Sequence, residues 1–366
     1  MCRLEAKTTK GFALPVDKKK LQETGLSLLI TVIALVAALL VGAVVILAFG
    51  SNPLEAYGAL WQGAFGTGIA FTITLGRAVP VMLTGLAVAI AFRCSVFSIG
   101  AEGQLLMGAM AAALVGAYVH LPMILHLPLT ILASMAAGMA WAFFPAVLKL
   151  KGNVSVVIST IMFNYIAQYF VQYLILGPFK GPGESPATAT IAETAQLPDL
   201  LPTPYVLNLG FVLALLAVVG TYVLLNRTSL GYEMRAVGFN ASAARVNGID
   251  VNRNMFLALL ISGALAGLAG GIEVTGSLNK IVNNFSANYG YNGIPVALMA
   301  HNNPFAIIFS ALLIGAMRSG SAMMQTSAGI SQNMIDVIQG LIIVFLCAEY
   351  VIRYYIKRGI GGKKHA

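Results

Sequence analysis

Three short stretches carry the side chains that can do chemistry on a polar molecule. "FSIGAEGQLLMGAM" holds Glu102 and Gln104 among glycines. "STIMFNYIAQYFVQY" sets Ser159, Thr160 and Asn164 about one helical turn apart, with Tyr165 beside them. "NNFSANYGYNGIPVALMAHNNP" offers Tyr289, Tyr291 and Asn292. Carboxylate, amide and phenol groups hydrogen-bond, and the rings stack, so the set suits holding a polar ring such as a sugar or a base. Bond-breaking chemistry finds no support. The four histidines are scattered, Cys2, Cys94 and Cys347 have neither pairing nor metal spacing, and no nucleophile, base or carboxylate pair is assembled. No metal site is expected. No GxxxxGK[ST] loop is present to hold the phosphates of ATP.

Each candidate has a plainer reading. Glu102 and Gln104 form a polar spot beside a solute path, or Glu102 lies at the membrane interface just after Arg93. Ser159 and Thr160 fit hydrogen bonds between helices, whereas Asn164 fits exposure to a pore. Tyr291 and Asn292 precede a short apolar run, where a broken helix would present its end to a solute.

These residues sit in a chain built for lipid. Of 366 residues, 58% are hydrophobic and only 10% charged, against about 25% charged in soluble domains. Mean hydropathy is +0.84. The expected fold is an all-α, polytopic transmembrane bundle. Apolar runs at about 27–49, 71–92, 97–119, 127–148, 154–177, 206–226, 255–276, 289–301, 304–325 and 334–356 suggest about 10 spans, some short or broken. Eight remain possible if 97–119 and 289–301 both re-enter. Residues 289–301 are too few to cross as one regular helix. Gly263, Gly267 and Gly271 recur every fourth residue, a ridge for close helix packing.

Charge sets the expected orientation. Basic residues gather at the N-terminus (Lys18, Lys19 and Lys20 among them), at Lys149 and Lys151, in 227–254, and after Arg353. Segments 50–70, 178–204 and 277–288 carry only Lys180 and Lys280. The bias puts both termini in the cytoplasm, with an uncleaved first span. The net charge of +9 therefore reads as topology and not as nucleic-acid binding. The expected organisation is a cytoplasmic segment 1–25, a membrane domain 26–356 with an external loop 178–204, and a cytoplasmic tail 357–366. The Pro-, Gly- and Thr-rich external loop is either a linker or a surface for an outside partner.

Segment 227–254 is a basic island between two spans. Its grammar predicts two short helices joined by "GFN". Asn240 caps the second, Ala244 and Arg245 favour helix, and Gly248 ends it. Such a loop either lies against headgroups or docks a cytoplasmic protein.

"GYEMRAVGFNASAARVNGI" resembles the cytoplasmic coupling loop of ABC-importer permeases of the branched-chain amino acid and simple sugar group. "FRCSVFSIGAEGQLLMGA", "VVISTIMFNYIA" and "YGYNGIPVALMAHNNPFAIIFSALLIGAMRSG" fit the same group, and together they look most like its nucleoside or simple sugar permeases. Ser98 departs from the asparagine expected in "FNIGAEGQ" and loses an amide's two-sided bonding. The resemblance implies a permease subunit of an ATP-driven importer in the cytoplasmic (inner) membrane of a prokaryote. Its partners would be a cytoplasmic ATP-binding subunit, a second permease (same or related) and an external solute-binding protein. ATP and Mg would bind to the partner, and this chain would hold no cofactor. Glu233, Arg235, Asn240, Ala244, Arg245 and Gly248 are then the candidates for coupling to the ATPase. The competing reading is an ion-coupled secondary transporter of a small polar solute, which would usually place an ionisable residue deep in a span.

Overall fold

A computed structural model describes residues 36–345, apart from 49, 185, 332, 333 and 342. The expected segments 1–25 and 357–366 and most of the first and last apolar runs lie outside the described residues. The described helices are α1 (Val36–Ala48), α2 (Pro53–Phe65), α3 (Gly68–Arg93), α4 (Ala101–Tyr118), α5 (Met123–Gly152) and α6 (Val156–Leu176). They continue with α7 (Gly210–Arg227), α8 (Ser229–Phe239), α9 (Ala241–Val246), α10 (Val251–Glu273), α11 (Tyr289–Met299), α12 (Pro304–Ala328) and α13 (Met334–Phe345). Described residues 36–45 and 337–345 form one compact unit and are helical. Residues 46–336 form the other, which holds every residue of the candidate site.

The all-α membrane bundle stands, but about ten spans are not found among the described residues. Five described helices are long and apolar enough to cross a bilayer: α3, α5, α7, α10 with its extension to Leu278, and α12. There are up to six if α1 and α2 make one broken span. The physical reason is local polarity and length. α4 carries Glu102 and Gln104 in its first turn, and α6 carries Asn164, Gln168 and Gln172. α11 has only 11 residues, about 16 Å of helix.

α3 and α10 form the centre, and both are buried along most of their length. Small residues let α10 press against α4 and α5. A Cβ at Gly267 would stand 2.3 Å from the Ser134 carbonyl oxygen, and one at Gly138 would stand 2.3 Å from that of Gly263. A Cβ at Gly108 would stand 2.4 Å from the Gly267 Cα. The expected glycine ridge is thus a packing device. Caps fix the helix starts: Thr67 accepts from the Ala70 amide, Asp250 from Arg253 and Asn303 from Phe305. At its far end α10 loosens into a π turn, Val274–Leu278, closed by Asn279 at φ 58°.

Residues 178–208 contain one turn of 3-10 helix (Glu193–Ala195) and isolated bridges, yet they are fixed. The Thr188, Ile191 and Leu197 amides donate to the carbonyls of Ile281, Asn279 and Thr275, and the Ala192 amide donates to Gly116. His126 Nδ1 meets the Thr194 hydroxyl at 2.7 Å. Its Nε2 meets the Val115 carbonyl at 3.2 Å. Main-chain bonds therefore tie this loop to the ends of α4 and α10. Its tip, residues 182–184, is exposed.

Candidate functional site

α11 is wedged between α3 and α4 because two of its residues have no side chain. A Cβ at Gly290 would sit 2.3 Å from the Glu102 nitrogen, and one at Gly293 would sit 2.7 Å from the Thr84 carbonyl carbon. The Thr84 hydroxyl donates to the Tyr289 carbonyl at 3.0 Å. Asn288 turns the chain into α11 with φ 64°, a left-handed conformation that asparagine tolerates.

Glu102 fills the start of this helix. Its carboxylate accepts from the Gly290 amide at 2.7 Å and from the Ser286 hydroxyl. A helix start has free N–H groups and a partial positive charge, both of which suit a carboxylate. Arg318 also offsets the buried charge, since it is within electrostatic reach of both Glu102 and Glu273. Its guanidinium lies 4.6 Å from the centre of the Tyr289 ring and donates to the Ala287 carbonyl. Arg77 donates to the Arg318 carbonyl at 2.6 Å.

Asn164 ties the same corner to α6. Its Oδ1 accepts from the Gly103 amide at 2.9 Å, and its Nδ2 donates to the Ile99 carbonyl at 2.8 Å. The same Nδ2 donates to the Tyr291 hydroxyl at 3.2 Å. Thr160 accepts from the Ile99 amide at 3.2 Å, in the loop before α4, so its bond runs from helix to loop and not between helices. Ser159 instead donates to Val156 within its own helix. Ser98 accepts from the Gly100 amide at 3.3 Å, a single bond that one hydroxyl can make.

Glu102, Asn164 and Tyr291 are thus joined at one corner, with Gln104 packed in the same turn of α4. Both Glu102 oxygens are engaged by protein donors, so this residue braces α11. Gln104 is buried, and its Oε1 has no hydrogen-bond partner among the described residues. Tyr165 is exposed and directly follows Asn164, which bonds Tyr291. Asn292 is half-buried, and its amide donates to the Asn288 carbonyl. Ser286 and Arg318 are partners of this corner that are not among the path candidates; from sequence, Arg318 is expected to pair only with Asp336, as packing. An arginine inside an apolar run was the available sign for Arg318.

The basic island folds as α8 and α9, two short helices joined at Asn240. The Asn240 side chain accepts from the Ala243 amide at 3.0 Å, and Gly248 follows α9 at φ +82°. Glu233 accepts from Asn254 at 2.9 Å, which ties α8 to the start of α10. Arg235 is half-buried and lies 3.4 Å from the Gly231 carbonyl. Arg245 is exposed, whereas Ala244 is buried and presents nothing outward. Phe239 and Val246 are 85% and 88% exposed, and neither stood out in sequence. A Cβ at Gly238 would be 2.1 Å from the Arg93 carbonyl oxygen, so α8 rests directly on the end of α3. Among the described residues, no cluster of His, Cys, Asp or Glu could hold a metal.

Residues 69–347 match the model of the branched-chain amino acid transport system / permease component family. The chain belongs to that family. It is a permease component of an ABC transport system, a multi-pass membrane subunit and not itself an enzyme. It is 39% identical to the guanosine ABC transporter permease protein NupP of Bacillus subtilis (strain 168) over 336 residues, covering 89% of this chain and 95% of that one. It is 34% identical over 354 residues to the glucose ABC transporter permease protein TsgB13 of Haloferax volcanii, covering 94% and 93%. With the nucleoside ABC transporter permease protein NupB of Lactococcus lactis subsp. cremoris (strain MG1363) it shares 32% over 340 residues, covering 90% and 93%. No solved structure matches the chain.

Proposed function

We propose that this permease moves a nucleoside or a simple sugar inward across the cytoplasmic membrane of a prokaryote. The observation that carries the reading is near full-length similarity to permeases named for guanosine, glucose and nucleosides. Three such relatives agree on polar, ring-bearing cargo. The corner formed by Tyr291, Asn292 and Tyr165 has the amide and phenol groups that such cargo needs, and buried Asn164, whose amide is spent on Gly103, Ile99 and Tyr291, holds it together. Glu102 holds α11 in position for them.

The same reading assigns the surroundings. An ATP-binding subunit, holding ATP and Mg, docks on α8 and α9 within the coupling loop 227–254. Exposed Phe239, Arg245 and Val246 meet it, while Glu233, Asn240 and Gly248 fix the shape of the loop. An external solute-binding protein meets the loop 178–204, and a second permease completes the path. α4 and α6, at 18 and 21 residues, are long enough to cross as well. The membrane domain is 26–356, and the terminal segments 1–25 and 357–366 are cytoplasmic.

Uptake of radiolabelled guanosine and glucose by cells expressing the whole importer tests this. Uptake of one of them should survive an ionophore that collapses ion gradients and stop when ATP is depleted. The reverse pattern would favour the ion-coupled transporter and sink the ATP-driven one.

A further inference from the structure

α6 has an exposed edge that does not suit lipid. Ile166 is its middle residue, and Tyr165, Gln168 and Tyr169 lie within three residues of it, about 5 Å along the axis. Tyr165 and Tyr169 are 51% and 66% exposed, and Gln168 is exposed too. Tyrosine in membrane helices gathers at the two water interfaces, and an amide facing hydrocarbon has no partner. Two phenols and an amide at mid-helix are therefore misplaced for a lipid face. α7 shows the contrast: its exposed Val212, Leu216, Val219 and Val223 are all apolar. The polar edge also runs on from the corner described above, because Tyr165 directly follows Asn164, which bonds Tyr291.

Resting on the permease reading, we propose that Tyr165, Gln168 and Tyr169 of α6 line a water-filled solute path whose opposite wall comes from the second permease subunit. Tyr165 and Tyr169 are four apart, so their rings rise one above the other along the helix. A ring-bearing polar solute can slide from one ring to the next while Gln168 exchanges hydrogen bonds with its hydroxyl or amine groups. One chain supplies only one wall, so the path is incomplete without the partner.

Single cysteines test this in the assembled importer, in membrane vesicles, after Cys2, Cys94 and Cys347 are replaced by alanine. The probe is a charged, membrane-impermeant methanethiosulfonate. Tyr165→Cys, Gln168→Cys and Tyr169→Cys should react at least about tenfold faster than Leu216→Cys on α7, whose thiol would face lipid. Rates equal to that of Leu216→Cys at all three positions overturn the proposal. The ring role is read separately by uptake of guanosine and glucose. Tyr169→Phe should stay within about twofold of the parent, and Tyr169→Ala should fall by about tenfold. An unchanged Tyr169→Ala overturns the ring role. Labelling does not depend on the energy source. If the three cysteines label but uptake follows ion gradients, the ATP-driven reading fails and the path assignment stands. If neither probe is taken up, labelling alone decides.

Discussion

The Glu102 carboxylate accepts a hydrogen bond from the Gly290 amide at 2.7 Å, although 188 positions separate the two residues. One side chain of α4 thereby closes the open end of α11.

Removing that brace should cost stability. Glu102→Ala leaves the Ser286 hydroxyl and the Gly290 amide buried without an acceptor, a loss of about 3 kcal/mol. Glu102→Gln keeps one acceptor oxygen and should cost about 1 kcal/mol. Thermal unfolding of the purified complex in detergent gives the order. Equal losses for the two variants would remove the carboxylate from this role.

Asn164 bonds three groups through one amide, and none of its substitutes can do the same. Asn164→Asp retains an acceptor for the Gly103 amide and can accept from the Tyr291 hydroxyl, but it sets a buried carboxylate against the Ile99 carbonyl, which then has no donor. It should be no better than Asn164→Ala, each losing about 2 kcal/mol. The same melting measurement checks it, and a fully stable Asn164→Asp would contradict the hydrogen-bond assignment.

Gly267→Ala should be poorly tolerated. The added methyl would collide with the Ser134 carbonyl oxygen at 2.3 Å, which is backbone and cannot swing away. Overpacking of this kind costs about 1–3 kcal/mol. Gly220→Ala is the control, since nothing lies within 4 Å of its would-be Cβ. Yield and melting temperature should fall for the first variant only.

Phe239→Asp and Val246→Asp should weaken capture of the ATP-binding subunit without unfolding the permease, because both side chains stand in the open. Interface anchors of this size contribute enough that co-purification should drop about tenfold or more. Unchanged recovery of the complex would move the docking surface elsewhere.

What could be read in advance followed the range of the forces involved. α8 and α9 were legible because caps and glycine stops act over three or four residues: Asn240 and Gly248 do what their types imply. The brevity of α11 was legible from its Asn and Gly borders. The brace was not, since nothing near Glu102 in sequence names Gly290 or Ser286 as its partner. Ala244 has the composition of an exposed helix, and only packing from other elements buries it. The span count went astray for a related reason. An apolar run signals a helix, but the polar groups of α4 and α6 are tolerated only because other helices, or a path, receive them.

The loop of residues 178–208 has one more consequence. Its main chain is tied down at Thr188, Ile191, Ala192 and Leu197, while residues 182–184 at its tip are exposed. Gly181 has no room to change, since a Cβ there would meet the Thr188 carbonyl at 2.6 Å. At Gly183, with φ +122° and open space around it, the chain can be cut and lengthened instead. A short epitope spliced in at that point would be carried on a stiff mount, and an antibody added to intact cells would report which side of the membrane it faces.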